Sequence, residues 1–342
     1  MNKKFKVVLC GCGGISSAWL ESAKKIDEIQ IEALVDINKS RAEQVREKFN
    51  LPSEVSDDFT STIKKMKPDI VFDCTVPSAH PEITITALKN GCHVLGEKPM
   101  AENMKSARKM LETADKAGKI YAVIQNRRYM NNIFAYRKSI HSGKIGELTT
   151  LNADFYIGAH FGGFRDEMLH VLLIDMAIHS FDQARYISNA DPISVYCHEW
   201  NPKGSWYKHG ASAIAIFEMT NGVVFSYRGS WCAEGMNTSW ECSWRAIGTK
   251  GSILWDGADK INGQVVINNE GFVREKEDFS ITVENELPYH HHEGVIREFI
   301  ESIKTGKRPM TDCHDNIKSL SMVHAAVKSA VTGKKVKIDT IL

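Results

Sequence analysis

The chain has 342 residues, of which 43% are hydrophobic and 25% are charged, a composition typical of globular proteins. Its 43 basic and 42 acidic residues give a formal net charge of +1 without a basic block, which argues against a nucleic-acid partner. No apolar stretch approaches the roughly 20 residues that a membrane span requires, so no membrane association is expected. This length predicts two domains.

The eight cysteines are scattered along the chain and form no C-x-x-C pair. The sequence therefore predicts neither a zinc site nor a redox dithiol. The first predicted strand begins almost at the N-terminus, which leaves no room for a signal peptide. Buried thiols suit a reducing compartment, so we expect a cytoplasmic protein.

The first third of the chain alternates short apolar runs with polar segments of helical periodicity. Strands are predicted at 5–10, 31–36, 69–75, 92–95 and 120–124, and helices near 15–26, 39–48, 60–66, 80–90 and 103–117. Such alternation is typical of a parallel sheet with helical crossovers. Residues 1–125 are therefore predicted to form a doubly wound, Rossmann-type nucleotide-binding domain.

A glycine-rich turn joins the first predicted strand to the first predicted helix. It consists of Gly11, Cys12, Gly13, Gly14, Ile15 and Ser16. The first glycine allows a tight turn, and Gly13 lets the backbone approach a pyrophosphate closely. The N–H groups at the start of the helix then point toward the anion. The pattern ends in Ser16 instead of a third glycine, and on its own it is a weak signal.

The second predicted strand ends in an acidic residue, Asp36, about 20 residues after the glycines. An acid at this position accepts hydrogen bonds from the adenosine ribose and repels a 2′-phosphate, which favours NAD over NADP. Lys39 and Arg41 follow closely and act against that preference. The alternative is a plain strand–helix turn with Asp36 as a helix cap. The order of strand, glycines, helix, strand and acid favours the dinucleotide site.

The rest of the chain has a different pattern, rich in strands. A helix near 130–142, a strand at 148–157 and an apolar helix near 168–188 precede predicted strands at 192–200, 211–219, 222–233, 238–248 and 251–256. Two helices at 291–305 and 313–332 and a short strand near 335–339 follow. Residues 126–342 are therefore predicted to form an α/β domain with a large, mainly antiparallel open sheet.

Lys98 stands between Glu97 and Pro99, directly after the predicted strand 92–95. Ligands of doubly wound sheets bind beyond the carboxyl ends of the strands, so this lysine is expected beside a nicotinamide. The proline restricts its predecessor to extended conformations. A partly desolvated lysine can exchange protons near neutral pH. The alternative is an exposed loop lysine.

Asp175 and His179 lie four residues apart in an apolar segment. On a helix these positions share a face, so the two side chains can converge. Ionisable groups in an apolar segment are costly unless they are paired or functional, and a histidine beside a carboxylate is a suitable acid or base near pH 7. The alternatives are a satisfied core histidine and a metal site that also uses His170. We expect no metal.

These motifs occur together in the order of a known family. The chain resembles the glucose–fructose oxidoreductase / inositol dehydrogenase / MocA (Gfo/Idh/MocA) family over essentially its whole length. The resemblance is carried by the glycine turn, Asp36, Thr75-Val76-Pro77 with His80, Glu97-Lys98-Pro99 and Asp175-x-x-x-His179.

The resemblance implies a nicotinamide cofactor, NAD or alternatively NADP. It also implies that His80 packs beside the cofactor-contacting loop Thr75-Val76-Pro77 and that Glu97 helps to place the nicotinamide ribose. The implied cofactor contacts are Gly11, Cys12, Gly13, Gly14, Ile15, Asp36, Ile37, Arg41, Thr75, Val76, Pro77, His80, Glu97 and Lys98. It also implies a catalytic set of Lys98, Asp175 and His179 around a sugar or polyol carbon. A homodimer or homotetramer that forms through the open sheet is expected.

The implied reaction is the reversible oxidation of a secondary alcohol. His179 would take the hydroxyl proton, Asp175 would orient the imidazole or bind a neighbouring hydroxyl, and Lys98 would stabilise the alkoxide. Whether Lys98 or His179 is the formal base stays open. Expected substrate contacts are Lys98, Arg127, Tyr156, Arg165, His170, Asp175 and His179, with Arg128, Tyr129 and His160 nearby.

Two departures from the family pattern concern Ser16 and His170. Ser16 is small enough for close helix–sheet packing. His170 stands where many relatives carry glycines before the catalytic acid, so we expect it to reach the substrate and alter substrate choice.

Two other functions remain as alternatives. One is a glycoside-cleaving enzyme that oxidises its substrate only transiently and regenerates NAD within the cycle. The other is an NAD-sensing regulator without catalysis, which the joint presence of Lys98, Asp175 and His179 argues against. The triple histidine His290-His291-His292 indicates a helix start or a pocket edge more than a metal site.

Overall fold

The computed structural model describes residues 4–338. They form two compact units, one comprising residues 4–129 and 288–320 and the other residues 130–287 and 321–338. The sequence-based division after residue 125 placed residues 288–320 in the second domain, whereas the structure places them in the first unit. No helix within residues 4–338 is long and apolar enough to cross a bilayer.

The first unit contains a six-stranded parallel sheet of strand order β3-β2-β1-β4-β5-β6. Its strands are β1 (Phe5–Cys10), β2 (Ile29–Val35), β3 (Glu54–Ser56), β4 (Ile70–Asp73), β5 (His93–Gly96) and β6 (Tyr121–Val123). The crossover helices are α1 (Ser16–Ala23), α2 (Lys39–Phe49), α3 (Phe59–Met66), α4 (His80–Lys89) and α5 (Met104–Ala117). The predicted doubly wound sheet is confirmed.

The core of this unit includes a helix from far along the chain. Helix α8 (His291–Thr305) buries an apolar stripe at Val295, Ile296, Phe299 and Ile300, in one cluster with Val7, Leu9 and Trp19. Residues three or four positions apart lie on the same side of a helix, so these four side chains form one apolar stripe. This packing is why residues 288–320 belong to the first unit.

The second unit contains a nine-stranded sheet of order β14-β13-β12-β11-β7-β10-β9-β8-β15. The strands are β7 (Leu148–Tyr156), β8 (Pro192–Trp200), β9 (Ser212–Met219), β10 (Val224–Ser230), β11 (Ser243–Gly248), β12 (Gly251–Trp255), β13 (Ile261–Val266), β14 (Lys276–Ile281) and β15 (Val336–Lys337). Only the β7–β10 pair within this sheet is parallel, so the predicted mainly antiparallel sheet is confirmed. Residue 339 of the predicted last strand lies outside the described residues.

Helices cover one face of this sheet and leave the other exposed. The helices of the unit are α6 (Asn131–His141), α7 (Ala177–Ser188) and residues 321–332 of α9 (Cys313–Thr332). Phe181 of α7 packs edge-on against Phe217 of β9, whereas Ile214 and Ile216 of the same strand are exposed. Among the aromatic residues of this region, Tyr227 of β10 and Trp244 of β11 are buried, and so is Trp231, directly after β10. Trp240 is exposed and also lies outside the strands.

The apolar helix predicted near 168–188 is interrupted. Residues Leu172–Met176 form a π-helix, and α7 begins only at Ala177. His170, just before the π-helix, has a left-handed backbone with φ of 55°. π-Helical turns are rare and concentrate at functional sites, and this one contains Asp175.

Candidate active site

The glycine turn connects β1 to α1 at the carboxyl edge of the parallel sheet. Gly11 has φ of 93°, and a Cβ there would lie 2.6 Å from the carbonyl carbon of Cys74, so a larger residue does not fit. A Cβ on Gly13 would meet no atom within 4 Å, which leaves its backbone open to a ligand. Ser16 is buried, and its hydroxyl donates to the Gly13 carbonyl at 2.7 Å. The turn therefore has the shape of a phosphate cradle.

Asp36 is buried after β2 and is held by two backbone donors. The N–H of Cys12 donates to Oδ2 and the N–H of Asn38 donates to Oδ1, each at 2.8 Å. Each carboxylate oxygen retains a lone pair for a further hydrogen bond, as recognition of two ribose hydroxyls requires. Cys12 therefore contributes to this site through its backbone N–H, which holds the Asp36 carboxylate in place.

A cavity of about 450 Å³ brings many of the predicted cofactor residues together, and it is within the usual range of small-molecule sites. Its predicted members are Gly11, Gly13, Asp36, Ile37, Arg41, Thr75 and Val76. The side chains of Ile37 and Val76 are 96% and 62% exposed, so a flat apolar ring bound there would cover both. These residues fit an adenosine group. Gly14, Ile15 and Pro77 do not line this cavity.

The sequence interpretation missed a second set of lining residues from α3, α4 and the loops before them. They include Asp57, Asp58, Phe59, Glu82 and Ile83. Three of the five are acidic and add to the charge of Asp36, whereas Arg41 is the only basic residue among the lining residues described. A negative cavity disfavours an additional phosphate.

His80 joins two loops at the carboxyl edge of the sheet. It is buried, and its Nδ1 and Nε2 each lie 3.0 Å from a carbonyl oxygen, of Pro99 and Thr75 respectively. The loop after β4 is therefore tied to the loop after β5, which carries Lys98.

Glu97 is a buried carboxylate directly before Lys98, which is half-buried. The indole of Trp19 donates to its Oε1 at 2.8 Å, and the N–H of Lys98 donates to Oε2 at 3.0 Å. Burial raises the pKa of Glu97, while these hydrogen bonds and the charge of Lys98 oppose the rise. The Lys98–Pro99 peptide bond is cis.

Two of the residues expected near the substrate are structural. Arg128 is buried, donates to the Met310 carbonyl at 3.0 Å and forms an ion pair with Asp315 at 2.7 Å. Tyr129 is buried as well, and its hydroxyl donates to Glu298. Arg127, between them in sequence, is half-buried.

The triple histidine lies at the start of α8, where His290 and His292 are half-buried and His291 is exposed. Nδ1 of His292 lies 3.3 Å from the side-chain nitrogen of Asn126, and its ring meets that of Trp19 edge-on. Burial and the neighbouring His291 lower the pKa of His292 to about 4. It therefore belongs to the packing around Glu97.

A cluster of Asp312, Cys313 and His314 has the residue types of a metal site. Asp312 Oδ1 already accepts the N–H of His314 at 3.0 Å and lies 3.6 Å from the guanidinium of Arg308. Burial raises the pKa of the Cys313 thiol well above its usual value, which disfavours the thiolate that a metal needs.

In the second unit, Asp175 is paired with Arg165. Its Oδ2 accepts from Nε of Arg165 at 2.6 Å, and the guanidinium lies over the rings of Phe161 and Phe164. His179, which is half-buried, lies in the first turn of α7. The prediction of one regular helical face for Asp175 and His179 did not anticipate that Asp175 lies in a π-helix and His179 in α7.

Three other predicted substrate residues lie in this unit. Nδ1 of His170 lies 2.5 Å from Oε2 of Glu199, a partner that no sequence motif indicated. Tyr156 ends β7 half-buried, and burial followed by the charge of Asp154 raises its pKa. His160 is exposed, stacks on Trp206 and pairs with Glu234.

Comparison with known proteins places this geometry in a family. Residues 5–125 match the model of an oxidoreductase family with an NAD-binding Rossmann fold, and residues 134–254 match the Gfo/Idh/MocA C-terminal domain. The chain belongs to the Gfo/Idh/MocA family. The predicted membership and the predicted nicotinamide cofactor are confirmed, because residues 5–125 form an NAD-binding domain.

Individual Gfo/Idh/MocA relatives match the chain over most or half of its length. Myo-inositol 2-dehydrogenase of Thermotoga maritima is 23% identical, with 98% of this chain and 99% of that protein covered. D-glucoside 3-dehydrogenase of Escherichia coli is 33% identical over 52% of each chain. An oxidoreductase of Agrobacterium radiobacter, solved with NAD+, L-tartaric acid and magnesium, superposes with a TM-score of 0.86 at 21% identity, covering 99% of this chain and 100% of that one.

Proposed function

We propose that this oxidoreductase is an NAD-dependent dehydrogenase that oxidises a secondary alcohol of a sugar, polyol or sugar derivative. The observation that carries the proposal is the position of Lys98 at the carboxyl end of β5. The same edge of the parallel sheet holds the glycine turn and Asp36. Named relatives include dehydrogenases of an inositol and a glucoside, which supports the substrate class.

The proposed roles follow from the chemistry of each side chain. Bound NAD supplies the hydride acceptor. Lys98 stabilises the developing alkoxide, and His179 takes the hydroxyl proton. Asp175, which accepts a hydrogen bond from Arg165, orients the imidazole or binds a neighbouring substrate hydroxyl. Lys98 and His179 both remain candidates for the formal base.

The test measures NADH production over a panel of monosaccharides, inositols and glycosides, with NAD and NADP compared side by side. For the substrate found, Lys98→Met and His179→Ala should each lower kcat by about 100-fold or more, while NAD affinity persists. Lys105→Met, an exposed lysine on α5, is the matched control and should leave turnover unchanged. Near-normal turnover in both active-site variants contradicts the assignment. Consumption of a glycoside without net NADH would indicate transient oxidation instead.

We also propose a homodimer or homotetramer that forms through the exposed face of the nine-stranded sheet. Tyr196, Ile214, Ile216 and Leu254 are exposed there, on strands β8, β9 and β12. Tyr196 and Ile216 are cross-strand neighbours, and neighbouring exposed apolar residues of this kind mark association sites. Ile216→Asp should lower the mass measured by light scattering, whereas an unchanged mass argues against this face.

A cytoplasmic location is proposed as well. Within the described residues none of the eight cysteines forms a disulfide, and seven of them are buried. This arrangement suits a reducing compartment. Fractionation of the source cells would test it, and recovery outside the cytoplasm would contradict it.

A further inference from the structure

His170 and Glu199 form a histidine–carboxylate pair within the second unit. Nδ1 of His170 lies 2.5 Å from Oε2 of Glu199, although the two residues are 29 positions apart. Their side chains are 22% and 9% exposed, so the carboxylate is the more deeply buried member. A buried carboxylate that accepts from one ring nitrogen fixes the orientation of the imidazole.

Glu199 is seated against the backbone of Gly210. A Cβ on Gly210 would lie 2.6 Å from Cγ and Cδ of Glu199 and 3.0 Å from the oxygen that bonds His170. The other oxygen, Oε1, is buried and has no hydrogen-bond partner among the described residues. The bond to His170 is therefore the directed hydrogen bond of this carboxylate, and a Cβ at position 210 would require the Glu199 side chain to shift.

The backbone of His170 adds a second indication of function. Its φ of 55° is uncommon for a residue with a side chain, and such conformations cluster at active sites. The carbonyl of His170 accepts the N–H of Ile174 at 2.9 Å, at the start of the π-helix that contains Asp175. The pair thus lies beside the segment that carries a proposed substrate ligand.

The hydrogen bond to Glu199 determines which ring nitrogen of His170 is available to a ligand. Because Nδ1 faces the carboxylate, Nδ1 holds a proton and Nε2 remains for a ligand. The hydrogen bond to Glu199 raises the pKa of His170, burial opposes the rise, and the charge of Glu199 adds to it. No other titratable group contributes to this shift among the described residues. A protonated imidazole is a donor at Nε2 and has no acceptor.

We propose that Glu199 is a positioning residue that holds His170 as a hydrogen-bond donor to an oxygen of the substrate. This inference rests on the proposed function and adds a recognition element to it. A hydroxyl and a carboxylate both offer such an oxygen, and the two sources differ in charge.

Two variants perturb the pair by independent routes. Glu199→Gln keeps the shape and removes the charge, and Gly210→Ala displaces the carboxylate without changing either partner. Both should raise the KM for the alcohol substrate about 10-fold, change kcat much less and leave the KM for NAD unaltered. The NMR titration midpoint of His170 should fall in both, because the hydrogen bond that raises its pKa is weakened. Glu167→Gln, an exposed acid paired with Lys208, is the matched control.

The outcomes separate this inference from the proposed function. Wild-type KM and an unshifted His170 midpoint in both variants would overturn the role of Glu199 while dehydrogenase activity stands. Failure of the whole substrate panel contradicts the proposed function, and the NMR midpoint still decides the pairing because it needs no substrate. A larger KM effect on a sugar acid than on the neutral polyol of the same skeleton identifies a carboxylate as the acceptor, and equal effects identify a hydroxyl.

Discussion

The indole Nε1 of Trp19 donates to Oε1 of Glu97 at 2.8 Å, across 78 positions of sequence. The bond joins α1, which follows the glycine turn, to the residue directly before Lys98. The ring of Trp19 also meets His292 at the start of α8. Three distant segments of the first unit therefore meet at one buried carboxylate.

Replacing Trp19 with phenylalanine should test this arrangement. Trp19→Phe removes the donor from a carboxylate whose pKa burial already raises, so it should lower the free energy of unfolding by about 1–3 kcal/mol. It should also weaken NAD binding severalfold in a calorimetric titration, because Glu97 positions the loop of Lys98. Trp206→Phe removes a comparable indole hydrogen bond, to Ala159 in the second unit, and should leave NAD affinity intact. Equal NAD affinity in both variants would contradict the link.

Alanine substitutions at Gly11 and Gly13 of the turn should have different effects. Gly11→Ala places a Cβ against the backbone of Cys74 at positive φ, so thermal unfolding should occur at a clearly lower temperature. Gly13→Ala meets open space, so its melting temperature should stay near that of the wild type. Its NAD affinity should nevertheless fall about 10-fold or more, because the methyl group occupies space near the phosphates. Unchanged NAD affinity in Gly13→Ala would place the pyrophosphate elsewhere.

Asp36 should set the choice between NAD and NADP. Asp36→Asn removes the charge that repels a 2′-phosphate and leaves Arg41 available to it. We expect kcat/KM for NAD to fall about 10-fold or more and kcat/KM for NADP to rise. The preference ratio is measured with one substrate at saturation. Arg41→Gln should shift that ratio in the opposite direction, and a ratio unaffected by either change would exclude this cavity as the adenosine site.

The free energy of unfolding should fall in mildly acidic solution because two histidines have lowered pKa values in the folded protein. Burial lowers the pKa of His93 and of His292 to about 4 from an ordinary value of 6.5. Below about pH 6.5 the unfolded chain binds protons that the folded chain does not, so the free energy of unfolding decreases toward pH 4 and levels off below it. His292, the more deeply buried of the two, accounts for up to about 3 kcal/mol, and solvent screening makes the contribution of His93 smaller.

Urea unfolding at several pH values between 7.5 and 4.5 measures the slope of the free energy of unfolding against pH. His292→Gln should flatten it, whereas His198→Gln, at an exposed position on β8, should not. Equal slopes in the wild type and His292→Gln would show that His292 is protonated in the folded state.

Helices α8 and α9 were predictable to the residue because their ends are marked locally. Helix α8 ends at Gly306, which has φ of 73°, and α9 begins after Asp312, which accepts the N–H of His314. By contrast, β13 was missed because Gly263 interrupts its alternation, and β14 because four of its six residues are polar or charged. Strand β3 has only three residues at the sheet edge, so its run is too short for a periodic signal.

In the candidate site too, residues marked by a local sequence pattern were predictable, whereas a contact between distant segments was not. Asp36 and Lys98 follow apolar strands, and this position alone predicted their placement at the carboxyl edge. Glu199 pairs with His170 from another element, and no spacing within either segment indicates the partner. The only local signal is an acid at the end of a strand with a glycine 11 positions later. The π-helix before α7 left no periodic signature either.

The return of α8 to the first unit determines how genes of this architecture can recombine. A fragment ending at residue 125 would lack Val295, Ile296, Phe299 and Ile300 and would leave their apolar contact surface in water. The chain passes between units near residues 129, 287 and 320, so an intact cofactor-binding half is encoded in two separate blocks. A single crossover between two such genes would therefore give a cofactor half that lacks its own last helices, and a functional exchange requires three matched junctions.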